Sequence, residues 1–480
     1  MTSDLSSKPV PSADSWPSRW LRMFAIDLRS LAVFRMALGA LILARLAART
    51  VDFRVFFTDE GVWPVAHAWA EDHGLGSWSL HLFSGSFEWQ AALWCAEALA
   101  GLALLLGWRT RVITVIAWVL VASAQKRNLI VVTGAGSLLR LMLFWGMWLP
   151  LGARWSLDAR RRGSAAREPG EAVLSVASAA LLLQVALVYW INALNKSDPA
   201  WRTTGEAVWM VLSQESYSRP AARFLLEWPN LLRCLTQATF WLEALGPFLA
   251  FIPWANARWR LLAIFLFTTF HAGLAATLTI GLFPYTSVAS WLPFLPGAVW
   301  SRGSGPGLFS RHSWWVNVAA AVCFLFVVGW NLRTPCPWLK PVVDPVCRAL
   351  RLEQSWAMFA PRPRDTDTWW VPMGTDASGV ETNLWTGESP VRWRRPADFG
   401  SYFPSGAWKQ YLLRIRSGSP ARARLFADWL VRRWQAGHPG APPFTKVELY
   451  NLEESIYRRG AVPDNYLIYD STAATKPPAP

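Results

Sequence analysis

A single lysine ends one of the longest apolar runs in the chain. Lys196 lies in Tyr189-Trp190-Ile191-Asn192-Ala193-Leu194-Asn195-Lys196-Ser197-Asp198-Pro199-Ala200-Trp201. An ammonium costs little in water or among headgroups but roughly 2.5–3.5 kcal/mol or more in hydrocarbon, so depth decides whether Lys196 is a snorkelling anchor or a functional group. His271 is the second candidate. It follows Phe265 to Phe270, precedes Ala272-Gly273-Leu274, and has no charged neighbour in sequence. Arg35, Arg45, Glu97, Arg140 and Glu243 also sit in apolar runs, where each must be paired, hydrated or neutralised. Arg45 and Glu97 read as helix–helix ion-pair or snorkelling groups, whereas Arg140 and Glu243 have apolar residues on both sides over several turns. A lysine, with a reference pKa near 10.4, becomes a base near neutral pH only when desolvation or a nearby cation lowers it; a histidine needs no such help.

The elements that position these groups follow from composition. Of 480 residues, 53% are hydrophobic, only 16% are charged and 33 are Trp. This is the profile of a membrane protein with interfacial aromatic belts. The net charge of +15 is not accompanied by a nucleic-acid-binding motif, and much of the Arg lies in short loops between apolar segments, so it reads as topology and no nucleic-acid partner is expected. Apolar segments near 29–47, 90–108, 111–125, 137–151, 172–194, 232–253, 258–278, 280–297 and 314–330 approach the roughly 20 residues of a spanning helix. The expected fold is therefore a membrane all-α bundle of about nine transmembrane helices with a C-terminal extracytoplasmic α+β domain. Placing Arg109 and Arg111, Arg160 to Arg162, and Arg258 and Arg260 inside puts the N-terminus in the cytoplasm and the C-terminus outside a cell (inner) membrane. The fifth and seventh spans then run outward, which puts Lys196 and His271 at similar depth near the outer face.

Residues 1–28 read as a retained cytoplasmic tail, 29–330 as the transmembrane domain, 331–470 as the soluble domain and 471–480 as a disordered tail rich in Ala, Pro and Thr. Within the soluble domain, Trp369 to Thr375 and Val380 to Trp385 predict a β-hairpin, and Arg422 to Gln435 an amphipathic helix. Cys336 and Cys347 flank a Pro-rich stretch, and an oxidising outer side would allow a disulfide between them. The first outer loop, 48–89, carries His67, His73 and His81 at spacings that do not put two ligands on one helical face. No metal is expected there, and the loop reads as lying on the membrane surface.

Tyr189 to Trp201 with Lys196, Phe270-His271, and Ile280-Gly281-Leu282-Phe283-Pro284-Tyr285 resemble the membrane portion of vitamin K-dependent γ-glutamyl carboxylases and their bacterial relatives, the HTTM (horizontally transferred transmembrane) domain proteins. Trp155-Ser156-Leu157-Asp158 is similar to a third shared element, and Gln354 to Pro361 resembles the soluble tail of the bacterial members. The resemblance covers about residues 20–300. It implies that Lys196 is the base that deprotonates a reduced vitamin K or menaquinol-like quinol, with His271 in the same active region. Trp190, Trp201, Arg140, Glu243 and Tyr285 are the candidate cofactor-binding residues, and an extracytoplasmic protein substrate is the implied partner beside the lipid bilayer. Two departures stand out: Asn195-Lys196 replaces the Lys-Lys pair of the carboxylases, and the soluble tail is too short to match their large lumenal region. A non-catalytic membrane protein that binds a lipid or protein partner through its outer domain, and a transporter, are the alternative classes.

Overall fold

Helix propensity and apolar content agree over most of the first 330 residues, and long helices form there. The computed structural model describes residues 16–71, 76, 78–163, 171–300, 308–309, 314–416 and 418–472. Most of the expected cytoplasmic tail, His73 and nearly all of the expected disordered C-terminal tail lie outside these. The long helices are α1 (Leu28–Arg49), α2 (Phe87–Leu106), α3 (Thr110–Arg127), α4 (Gly134–Gly146), α5 (Val176–Asn195), α6 (Pro229–Leu249), α7 (Asn256–Thr277), α8 (Phe283–Ser290) and α9 (Trp314–Leu332). Side-chain caps start several of them. Asp27 accepts from the Arg29 N–H at α1, Ser86 from Trp89 at α2, and Ser175 forms a capping box with Ser178 at α5.

Among the described residues, five helices are long and apolar enough to cross a membrane: Leu28–Phe57, Phe87–Leu106, Val176–Asn195, Asn256–Thr277 and Trp314–Leu332. That is fewer than the nine spans expected from sequence. Helices α3 and α6 are continuous but carry too many polar residues to qualify, including Lys126 and Arg127 in one and Arg233 and Glu243 in the other. The expected fourth span contracts to the 13-residue α4, about 20 Å long against a hydrocarbon core of about 30 Å, and it is buried on nearly all sides. The expected eighth span breaks into the eight-residue α8 and two 3-10 turns, Leu292–Phe294 and Gly297–Val299, because Pro293 and Pro296 each remove a backbone donor.

Packing accounts for three of the charges in the apolar runs. Helices α1 and α2 approach closely at Gly39 and Gly101, where a Cβ on Gly39 would sit 2.6 Å from the Gly101 carbonyl oxygen. One and a half turns along, Arg45 of α1 pairs with the fully buried Glu97 of α2, the interhelical ion pair anticipated for them. Arg35 donates to the carbonyl oxygen of Trp155 at 2.7 Å. Asp158, in the Trp155–Asp158 element, accepts from the backbone N–H groups of Arg109 and Thr110 at 2.8 and 2.7 Å and so fixes the start of α3.

After α9 the chain forms α10 (Lys340–Ala349), which lies back on α9, and then a sheet. Strands β1 (Thr366–Asp376), β2 (Glu381–Asn383), β3 (Phe444–Ser455) and β4 (Asp464–Asp470) are antiparallel in the order β2-β1-β3-β4. The expected hairpin is β1 and β2. The expected amphipathic helix is Pro420–Gly437, which buries Phe426 and Leu430 against the sheet domain.

Two expectations are corrected here. Loop 48–89 is not a membrane-surface loop along its whole length: Phe53, Phe56, Phe57 and Trp63 are buried in one core with Trp370, Trp408 and Tyr411 of the C-terminal domain. The rings of Phe56 and Trp408 meet at 5.0 Å, so this loop and the C-terminal domain lie on one side of the helices. Cys336 and Cys347 are both free thiols. Cys347 points into the packing of α10 on α9, its Sγ 3.4 Å from the Phe326 carbonyl oxygen, while Cys336 precedes the turn that starts α10.

Candidate functional site

Helix α5 presents Tyr189, Asn192 and Lys196 at i, i+3 and i+7, hence on one face. Lys196 is the C-cap residue. Its side chain is 2% exposed, and its Nζ lies 2.5 Å from Glu243 Oε2 on α6. The indole of Trp201 covers the ammonium from another side, with Nζ 4.0 Å from the ring centroid. Asn192 reaches the same carboxylate, with Nδ2 3.1 and 3.0 Å from Glu243 Oε1 and Oε2. Lys196 is therefore neither snorkelling nor solvated. It is a buried cation held by a single buried carboxylate.

Deeper along the same face, Tyr189 Oη contacts His271 Nε2 at 2.8 Å and accepts from Trp291 Nε1 at 3.0 Å. Phe267 stacks on Trp291 at 4.5 Å and packs on Tyr189 at 4.3 Å, so the polar triplet is walled by aromatic rings. Two buried polar atoms here have no hydrogen-bond partner among the described residues: His271 Nδ1 and Ser287 Oγ. Ser287 stands one turn beyond Phe283 on α8, and Phe283 packs edge-on against His271 at 5.8 Å. Buried polar groups are rarely left unmet, so these two mark a place for a polar ligand or water.

A segment from beyond the helices closes the site at the C-terminal end of α5. Asn192 Oδ1 accepts from the Met358 N–H at 2.8 Å, Asn195 Nδ2 donates to the Trp356 carbonyl at 2.8 Å, and Trp201 Nε1 donates to the Phe359 carbonyl at 2.9 Å. Gln354 extends this strap inward to Gln184 of α5 at 2.8 Å, and Trp330 of α9 donates to the Gln354 carbonyl at 2.7 Å.

The structure gathers some expected site residues and separates others. Lys196, Glu243 and Trp201 form one cluster, and His271 lies farther along the same face of α5, joined to it through Tyr189 and not by direct contact. Trp190 points to the neighbouring side, its ring against Phe248 at 4.6 Å. Arg140 is elsewhere: it bonds Gln125 and Glu353 at 3.0 Å each. Tyr285 is 56% exposed on the surface of α8. Sequence reasoning missed Asn192, Trp291 and Ser287. Asn192 was accessible in principle, since it precedes Lys196 by one helical turn; Trp291 and Ser287 follow a broken helix whose path sequence does not give. His67 and His81 do not meet. His67 lies by Trp63, while the buried His81 pairs with Gln90 at 2.6 Å.

The arrangement suits proton transfer at a buried site. A short lysine–carboxylate contact can move a proton, and the aromatic walls keep water from competing. A family profile described as the HTTM domain matches residues 24–298, more than half of the chain. No curated protein matches the chain, and no solved structure does.

Proposed function

This chain belongs to the HTTM domain family, found in vitamin K-dependent carboxylase-like membrane proteins, and on that premise we propose that it is a quinol-dependent enzyme of the cell membrane with Lys196 as its base. The carrying observation is the buried Lys196–Glu243 pair, with Lys196 on the same face of α5 as Tyr189, which contacts a His271 whose Nδ1 is unpartnered among the described residues. The residues present fit a quinol-class lipid. Phe267, Phe283 and Trp291 make the surroundings apolar, and His271 and Ser287 offer polar atoms that lack partners among the described residues. A bound quinol would supply an ionisable hydroxyl and the electrons for reaction with oxygen.

The protein's own part is a proton relay. The Lys196 ammonium passes a proton along the 2.5 Å contact to Glu243, leaving a neutral amine. The amine then accepts the proton of a bound hydroxyl, so the pair ends with one proton more than it began with. Trp201 and the strap exclude water from the amine meanwhile, and His271 with Tyr189 orients the far end of the ligand. On this reading the end of the site closed by the strap faces outward, and a protein substrate would meet it from that side.

The test is quinol oxidation and epoxide formation by purified protein supplied with reduced vitamin K or menaquinol. Lys196→Ala should reduce either product to background while leaving the protein inserted and monodisperse. Full activity in that variant refutes the mechanism. Failure of the wild type to bind or oxidise any quinol would instead favour a non-catalytic membrane protein whose buried pair is structural.

A further inference from the structure

We propose that Asn192 is a positioning residue that couples the strap 354–359 to the Lys196–Glu243 pair. The inference rests on the reading of Lys196 as a base, but it concerns which proton state the pair adopts and can be tested without turnover. Asn192 is 1% exposed and uses both ends of its amide. The Nδ2 donates to Glu243, at 3.1 and 3.0 Å from its two oxygens, and Oδ1 accepts from the Met358 backbone at 2.8 Å. The second contact fixes the amide's orientation, because the acceptor end must face Met358 and the donor end is then aimed at the carboxylate. With Lys196 on one oxygen and Asn192 on both, Glu243 is held in one rotamer. Asn195 and Trp201 anchor the strap to either side of Lys196. Met358 lies outside the segment matched by the family profile, so part of the site's geometry comes from the C-terminal region.

The charged and titratable groups around the pair are few. Arg202 donates to the Lys196 carbonyl at 2.8 Å, and Tyr189 and His271 lie deeper along the face of α5. The strap faces the pair with Trp356, Met358 and Phe359, none of which carries charge. Glu243 and Asn192 are thus the groups that decide where the proton rests.

Substitutions separate positioning from mere packing. Asn192→Leu removes the donors to Glu243, which favours the neutral amine and protonated acid. Asn192→Asp keeps the acceptor for Met358 but sets a second carboxylate beside Glu243, which favours the ammonium. The readout is the titration midpoint of the Lys196 13Cε resonance in lysine-labelled full-length protein in micelles, assigned by its loss in Lys196→Arg. The midpoint should fall by roughly one unit or more in the Leu variant and rise by a similar amount in the Asp variant, each unit a tenfold change in the fraction of free amine. Thermal unfolding checks that both variants fold. Midpoints that move in the same direction in both variants, as loosening of the strap alone would produce, or that do not move, overturn the proposal. If the midpoints split as expected while Lys196→Ala retains quinol oxidation, the positioning role stands and the proposed reaction falls.

Discussion

Replacing Glu243 by Gln keeps the side chain's shape and removes its charge, which leaves the Lys196 ammonium buried at 2% exposure without a counter-ion. Breaking a buried pair in this way costs about 3–5 kcal/mol. The protein has a cheaper alternative, which is to release the proton. From a reference value near 10.4, neutralising the amine at pH 7.4 takes three units, or about 4 kcal/mol. That figure caps the destabilisation. It also fixes the sign of the pH dependence. The unfolded lysine binds its proton up to about pH 10.4, while in the folded variant it is already released, so the unfolded state binds more protons and the variant gains stability relative to wild type as pH rises. The deficit should shrink by about 1.4 kcal/mol per unit, leaving about 1.4 kcal/mol at pH 9.4. Denaturant titrations of both proteins in mild detergent at pH 7.4 and 9.4 measure it, and adding Lys196→Met to the variant should recover most of the loss. An equal deficit at the two pH values would show that Lys196 stays charged or hydrated, and the burial argument would be wrong.

Other outcomes follow from the same physics. Burial pushes the Lys409 amine down to about 6, and its Nζ lies 2.5 Å from the Ser216 carbonyl oxygen. Between about pH 6 and 10 the unfolded chain binds the extra proton, so this residue makes stability rise with pH; Lys409→Met should remove about 1.4 kcal/mol per unit from the slope in that window, and an unchanged slope contradicts the assignment. Glu97→Gln, which strands Arg45, should cost about 3–5 kcal/mol in unfolding experiments, whereas Arg45→Met with Glu97→Leu should cost far less, and equal losses would count against a buried pair. Native alkylation with mass mapping should label Cys336 readily and Cys347 only after unfolding; recovery of a peptide linking the two cysteines would contradict the packing of α10. Asp367, whose carboxylate meets the backbone N–H groups of Glu215 and Ser216 and the Arg459 guanidinium, should on replacement by Ala free the 213–218 loop to protease, and an unaltered digestion pattern would argue otherwise.

Much of the helical layer was legible because long apolar runs have few other ways to satisfy their backbone. The segments expected near 29–47, 90–108, 172–194 and 314–330 are helices within a few residues. The fourth and eighth were misjudged because hydropathy records how apolar a segment is, not whether protein or lipid surrounds it. Helix α4 is apolar because it is enclosed by other helices, and the region after α8 is apolar but punctuated by proline. In the site, residue types pointed to Lys196, Glu243 and His271, since charges in apolar runs are costly enough to need a reason. Partner choice was beyond reach. That Glu243 serves Lys196 while Arg140 serves Glu353 depends on which helix faces which, and Arg140 gave the same sequence signal as Glu243. Strands β3 and β4 went unnamed because their register is set by the long β1, far away in the chain.

The strap has a practical consequence for anyone who would shorten this protein. Similarity ends at residue 298, which invites an expression fragment that stops there. Such a fragment would discard α9, which packs on α5, and the backbone groups that occupy Asn192, Asn195 and Trp201. Three polar side chains would lose their partners at once beside a lysine whose proton affinity depends on dryness. A chain nicked after α9 but left whole should hold together on purification, whereas one cut back to the matched segment should open its lysine to solvent.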